Sequence, residues 1–399
     1  MPADRLRLLL GAFGDPGHAF PMIALGRALA ARGHDVVLQT WRRWEEHVEA
    51  EGMRFAAAPE YHVFPTLETP LAPYEAVVRA VRDTRPLVAE VRPDAVVADI
   101  LTLAPALAGE LEGVPVATLV PHTDPRVPSG FPPYSIGARL PRTGAGRRLW
   151  RSTDRVVAIG LERGRRELNE TRARLGLPAL AHVHGGISRS LCLVATFPQL
   201  EYPRVWPAGT HVVGPLLWEP PGADVAEPEG DAPLVLVAPS TSQDRRLRLV
   251  RAALAGLADV PVRVLASTNR QAVGLGAVPA NATIVEWASY SRTMPRCAVV
   301  VCHGGHGTVA RALASGCAVV VVPAAGDMNE NAARVDWAGV GVRLPRRLCR
   351  PGPVALAVRR ALAEPRIAAR SRALATWAAG HDAGSRAAAL VEAWARAAR

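Results

Sequence analysis

The chain has 399 residues, 49% of them apolar and 21% charged, a composition that excludes wholesale disorder and predicts two domains at about 100–200 residues each. No apolar run approaches the roughly 18 residues needed to span a bilayer, and the opening run 6–10 is too short for a cleaved signal core, so the chain is expected to be cytoplasmic. The formal charge is +11, every basic residue is an arginine, and the excess sits late: residues 1–213 hold 25 arginines and 22 acids (+3), residues 233–399 hold 22 and 9 (+13).

A basic second half suits a small polyphosphate ligand or a generally arginine-coated surface; no basic–aromatic interleaving points to nucleic acid. The five cysteines (192, 297, 302, 317, 349) are scattered without a C-x-x-C, so neither a disulfide framework nor a structural zinc site is expected.

In chain order, the apolar run 6–10 predicts a strand ended by Gly11, followed by a loop to His18 and a helix over about 21–32, with Gly33 as its stop. Strands follow at 36–38, 96–98 and 116–120, with a helix at 103–111 between the last two. Such alternation predicts a parallel sheet covered by helices. Residues 59–75 and 121–150 break the rhythm with Pro, Gly and aromatics and read as functional loops. A long charged helix is expected over 151–175. The acidic, Pro/Gly-rich stretch 214–232 reads as a linker. Alternation then restarts, with strands at 234–238, 262–266, 298–302 and 318–322, helices at 246–257 and 308–315, and a last amphipathic helix at 385–398 that docks on either domain. The expected organisation is an α/β domain over 1–213, the linker, and a second α/β domain over 233–399.

Four segments carry chemistry. Cys302-His303-Gly304-Gly305-His306-Gly307-Thr308 follows a strand and opens a helix, where glycines admit close approach and free N–H groups meet an anion. It reads as a phosphate cradle; a bare turn, or His303 and His306 as metal ligands, are the other readings. Pro239-Ser240-Thr241-Ser242 is a second strand–loop–helix junction of this type. Asp327, Met328, Asn329 and Asn331 follow a strand where a carboxylate and amides suit sugar hydroxyls, or where Asp327 simply caps a helix. His18, beside Gly17 at the mouth of the first strand, is placed as a general base, with Asp99 on the same sheet edge to orient it; a structural turn histidine is the plain alternative.

Taken together, these segments resemble the family 1 nucleotide-sugar glycosyltransferases of GT-B fold, especially the bacterial enzymes that decorate natural products. Gly17-His18-Ala-Phe-Pro21 resembles the family's G-H-x-x-P. Val97-Ala98-Asp99, with Gly113-Val114-Pro115-Val116 after it, resembles the segment bearing the aspartate partner. Val285-Glu286-Trp287 resembles the segment whose tryptophan stacks on the nucleobase, His303 to Thr308 resembles H-G-G-x-G-T/S, and Pro323 to Asn331 resembles P-x-x-x-D-Q-x-x-N. The match covers nearly the whole chain in order and departs at three places: Met328 stands for the family's Gln, Tyr290 ends the W-x-P-Q segment, and Arg311 stands where a ribose-holding Glu is frequent.

The resemblance implies two Rossmann-like domains facing across a cleft, and an inverting transfer of a hexose or deoxyhexose from a UDP- or TDP-sugar to a hydroxyl of a small aromatic or polyketide-like acceptor. His18 and Asp99 would be catalytic. Ser240, Thr241, Trp287, His303, Gly304, Gly305, Gly307, Thr308, Asp327, Met328 and Asn331 would bind the donor. Phe64, His122, Phe131 and Tyr134 would wall the acceptor. Beyond the nucleotide-sugar co-substrate no cofactor or metal is expected, and the partners are the sugar donor and a small acceptor, with no nucleic acid and no stable membrane insertion, in a monomer or homodimer. Two alternatives share the architecture: a sugar-nucleotide 2-epimerase and a non-catalytic nucleotide-binding homologue. A peripheral membrane enzyme would lean on the cluster Arg163, Arg165 and Arg166.

Overall fold

The computed structural model describes residues 5–58, 73–240, 243–244, 246–271, 274–324 and 326–399. Phe64 and Thr241, both expected at the site, lie outside the described residues.

The first domain runs β1 (Arg7–Gly11), α1 (Pro16–Ala31), β2 (Asp35–Thr40), α2 (Glu45–Ala50), β3 (Arg54–Ala57), α3 (Pro73–Val91), β4 (Ala95–Asp99), α4 (Leu103–Leu111), β5 (Val116–Val120), α5 (Gly144–Arg151), α6 (Asp154–Arg174), β6 (Cys192–Val194) and β7 (Thr210–Val212). Its strands form one sheet in the order β3-β2-β1-β4-β5-β6-β7, with parallel pairing throughout. After residues 213–233, which contain no helix or strand, the second domain runs β8 (Leu234–Ala238), α7 (Arg248–Leu257), β9 (Arg263–Ser267), β10 (Ala282–Val285), α8 (Tyr290–Thr293), β11 (Val299–Cys302), α9 (His306–Ala314), β12 (Ala318–Val321), α10 (Asp327–Ala338), β13 (Gly341–Arg343), α11 (Pro351–Ala363), α12 (Pro365–Ala379) and α13 (Ala383–Ala397). Its parallel sheet is ordered β10-β9-β8-β11-β12-β13.

Both sheets are covered on two faces. That is why their central strands are unbroken apolar runs rather than alternating ones: every residue of β4, β8 and β11 is buried. In each sheet the winding reverses at one point, between β1 and β4 in the first domain and between β8 and β11 in the second. The carboxyl ends of those strand pairs form the crevice where open α/β sheets bind ligands.

Two expectations shift. The first helix begins at Pro16 rather than near 21, because Pro16 takes the first helical position, where its missing N–H costs nothing. Pro21 then lies inside the helix, and His18 is in its first turn rather than in a loop. The segment 121–150, expected as a loop, ends in helix α5 (Gly144–Arg151), and after Ser152-Thr153 the long charged helix expected over 151–175 forms as α6 (Asp154–Arg174). Along α6 Arg163 pairs with Glu167 at 3.0 Å and Arg165 pairs with Glu162.

The two domains share core residues. Helix α13 lies on α1, and Ala387, Ala388, Val391 and Ala395 are buried in the same cluster as Ala24 and Leu25. Phe197 and Leu200, from the loop after β6, are buried in the core of the second domain.

Candidate active site

The first corner of the site is built by register. Strands β1 and β4 pair with Gly11 opposite Ala98, so the loop leaving β1 returns, through the first turn of α1, beside Asp99 at the end of β4. His18 Nδ1 lies 2.9 Å from Asp99 Oδ1. Asp99 is 1% exposed, and its other oxygen accepts from the Phe13 N–H at 3.3 Å and the Thr102 hydroxyl at 3.4 Å. An ionised carboxylate only accepts, so Nδ1 carries the proton and Nε2 is left with a lone pair. Burial by itself pushes the imidazole below its ordinary pKa. The charge and hydrogen bond of Asp99, with Asp15 and Asp327 adding to them, reverse this and raise it.

His122, two residues beyond β5, stands edge-to-face to His18 with ring centroids 6.2 Å apart. Its Nδ1 is 2.8 Å from the Thr123 carbonyl and 3.2 Å from the Tyr134 hydroxyl. Burial, with the nearby His18 charge, lowers its pKa, and burial raises that of Tyr134. A neutral imidazole and a neutral phenol therefore stand beside the His18–Asp99 pair. Phe131 packs on Tyr202 at 5.9 Å with the Arg147 guanidinium over its ring.

The second corner lies at the other switch point. His303 follows β11, and its Nδ1 is 3.3 Å from the Ala238 carbonyl at the end of β8; burial lowers its pKa. Gly304 has φ +90°, and a Cβ there would fall 2.8 Å from Val321 Cγ1 and 3.0 Å from the Met328 carbonyl. Only glycine fits this turn. Gly305 precedes α9, whose first residues include Gly307, with open space around its Cα, and Thr308. Asn331 is buried, and its Nδ2 donates to the Gly304 carbonyl at 2.8 Å while its Oδ1 lies 3.4 Å from His306 Nδ1. His306 is itself buried, with its pKa lowered to about 4. Ser240 is buried, and its Oγ accepts from the Gln243 N–H at 3.0 Å. Trp287 is 40% exposed, with Arg270 5.5 Å above its ring. Among the described residues no group of three or more His, Cys, Asp or Glu is placed to hold a metal ion.

The two corners face one another. Asp327, at the start of α10, contributes to raising the proton affinity of His18, His122 and His303, which come from both domains. The loop after β5 reaches across to α10. Gly137 (φ +67°) presses so closely on Asn329 that a Cβ would lie 2.6 Å from its carbonyl oxygen, and Arg139 pairs with Asp336 at 2.9 Å.

Residues that sequence reasoning did not single out hold this arrangement. Arg334, on α10, is 1% exposed. It pairs with Glu330 at 2.7 Å and with Glu201 at 3.0 Å, and lies 3.5 Å over the Tyr202 ring. Glu201 also pairs with Arg204 at 2.7 Å and accepts from the Asp124 N–H at 2.7 Å, while Asp124 pairs with Arg126. This buried chain of charges ties α10 to the two loops of the first domain that follow β5 and β6. The i, i+4 spacing of Glu330 and Arg334 is visible in the sequence; the pairing of Arg334 with Glu201, 133 residues earlier, is not. The amides of Asn269 and Gln271 donate to the Pro239 and Ser240 carbonyls at 2.7 and 3.0 Å and brace the second phosphate-type loop.

Two parallel-sheet domains with their switch points facing across a cleft are the GT-B architecture. Solved structures with the same fold along the whole chain include the glycotransferase of kitacinnamycin (TM-score 0.77, 21% identical, 98% of this chain and 100% of that one) and the glycosyltransferase VinC in complex with dTDP (TM-score 0.71, 19% identical, 98% and 100%). Residues 251–390 match the family model described as erythromycin biosynthesis protein CIII-like, C-terminal domain. Relatives that match over nearly their whole length include the 4'-demethylrebeccamycin synthase of Lentzea aerocolonigenes, 30% identical across 94% of this chain and 96% of that protein, and the O-mycaminosyltylonolide 6-deoxyallosyltransferase of Streptomyces fradiae, 30% identical across 98% of each. The chain belongs to this family of natural-product glycosyltransferases and is an enzyme that transfers a sugar to an acceptor.

Proposed function

We propose that this enzyme moves a hexose or deoxyhexose from a UDP- or TDP-sugar to a hydroxyl of a small natural product, with inversion at the anomeric carbon. His18 Nε2 takes the proton of the acceptor hydroxyl, the oxygen attacks the anomeric carbon from the face opposite the diphosphate, the bond to the diphosphate oxygen breaks, and the nucleoside diphosphate leaves. Asp99 holds the imidazole tautomer and stabilises the imidazolium. His303, Ser240, Thr308 and the N–H groups opening α9 meet the leaving-group charge, so that no metal is needed. Trp287 stacks on the nucleobase, and Gly304, Gly305 and Gly307 leave room for the diphosphate. Asp327 binds the sugar hydroxyls, and Asn331 holds the cradle by its bond to the Gly304 carbonyl. Met328 packs against Gly304, and a thioether in place of an amide favours a sugar that lacks a hydroxyl, in keeping with the deoxysugar named for the Streptomyces fradiae relative.

The observation that carries this reading is the 2.9 Å His18–Asp99 pair within electrostatic reach of Asp327 from the other domain. His18→Ala is expected to lower transfer about 10²–10⁴-fold while UDP or TDP still raises the melting temperature; transfer at the wild-type rate would refute the assignment. The same thermal-shift comparison ranks the two nucleotides, since a ligand bound only by the folded state stabilises it in proportion to its affinity.

A further inference from the structure

The proposed transfer leaves the acceptor open between an aromatic and a polyketide-like compound such as a macrolactone. A cavity lined by Phe13, which stands beside His18, bears on that choice. It measures about 130 Å³ and is walled by Phe13, Trp41, Val77 and Leu101, with Gln39 and Thr102 among its polar linings. Phe13 stands edge-to-face to Trp41 at 5.0 Å and to His18 at 6.0 Å, and its N–H bonds Asp99. Thr102, on the opposite wall, bonds the same carboxylate. The cavity is therefore one side chain away from the His18–Asp99 pair.

The lining selects the group that rests against it. An apolar cavity of about 150 Å³ takes one benzene ring. A macrolactone is puckered. Two aromatic edges and aliphatic walls suit a planar ring. Gln39 is buried, and among the described residues its amide bonds the Thr84 hydroxyl, at 3.3 and 3.4 Å, the long end of the range. An amide with two N–H groups and a carbonyl has capacity to spare. From this geometry we infer that the acceptor is an aryl compound: one ring is inserted between Phe13, Trp41 and Leu101, a polar substituent on its far edge meets the Gln39 amide, and the reacting hydroxyl projects back toward His18. This rests on the proposed transfer and names its acceptor class.

The test is binding of 2-naphthol and of a 14-membered macrolactone to the wild-type protein and to Leu101→Trp and Gln39→Leu, by calorimetry and ligand-detected NMR, with TDP and UDP thermal shifts run on each. Leu101 is 49% exposed at the mouth, so Trp there narrows the entrance without disturbing the core, and unchanged nucleotide shifts report intact folding and donor binding. Expected are naphthol binding to the wild type, at least 10-fold weaker binding to Leu101→Trp, a several-fold loss in Gln39→Leu, no macrolactone binding, and an unchanged nucleotide shift in every protein. Naphthol binding that is absent or equal in wild type and Leu101→Trp, or macrolactone binding that Leu101→Trp abolishes, overturns the pocket assignment and leaves the donor reading standing. Absence of any nucleotide shift would instead strike the transfer reading itself.

Discussion

Replacing Arg334 by methionine removes the centre of the buried charge chain while nearly keeping its volume. In the native state Arg334 neutralises two buried carboxylates, Glu330 and Glu201. Removing one partner of a buried pair costs about 3–5 kcal/mol, because the other charge is left uncompensated. Here the two carboxylates are not equally exposed to that loss. Glu201 keeps Arg204 at 2.7 Å and the Asp124 N–H at 2.7 Å, whereas the close pairing of Glu330 is with Arg334 alone among the described ion pairs. Most of the penalty should therefore come from Glu330, and the expected loss is about 3 kcal/mol, the low end of the range. Adding Glu330→Gln to Arg334→Met exchanges a stranded charge for a neutral amide and should recover at least about 1 kcal/mol. Equilibrium unfolding in urea, followed by circular dichroism, is the assay; guanidinium would screen the charges being measured. A loss below about 1 kcal/mol for Arg334→Met, or a double variant no more stable than the single one, would refute the view that this chain of charges holds α10 to the first domain.

Three further outcomes concern the chemistry. In Asp99→Asn the carboxylate that raises the His18 pKa is gone and burial, which lowers it, remains. The base must be neutral to act, so the acid limb of the kcat/KM profile should move to lower pH while the plateau falls, by up to about 10⁴-fold; a limb that stays in place or moves up would contradict the pairing. Gly304→Ala forces a Cβ against Val321 and the Met328 carbonyl at a φ of +90°, costing about 2–4 kcal/mol of strain and overpacking, and should abolish the nucleotide thermal shift at concentrations that saturate the wild type. Removing divalent ions with EDTA should leave the transfer rate within about twofold of the untreated enzyme if N–H groups and side chains carry the leaving-group charge; recovery of a lost rate on adding back magnesium would overturn that part of the mechanism.

The order of strands and helices was legible in the chain because buried parallel strands are continuous Val, Leu and Ala runs, and because glycines and prolines mark where they stop. The strand-end residues were legible for the same reason: Asp99 closes β4, His303 follows β11, and His18 lies in the helix turn after β1, whose carboxyl end its parallel neighbour β4 shares. The sequence pattern starts the first helix near residue 21 because Pro21 reads as a boundary, while Pro16 supplies the better one five residues earlier. Other features carried no local signal. Glu201 and Arg334 are 133 residues apart, and an isolated Glu or Arg looks like solvated surface until the tertiary fold buries it. The ring-sized cavity draws on β1, β2, α3 and α4, and Phe13 and Trp41 meet only because their strands pair. Periodicity and turn chemistry act within a few residues and determine the elements and their edges; the pairing of buried charges and the shape of a cavity are sums over distant segments, and those were decided only when the two sheets packed.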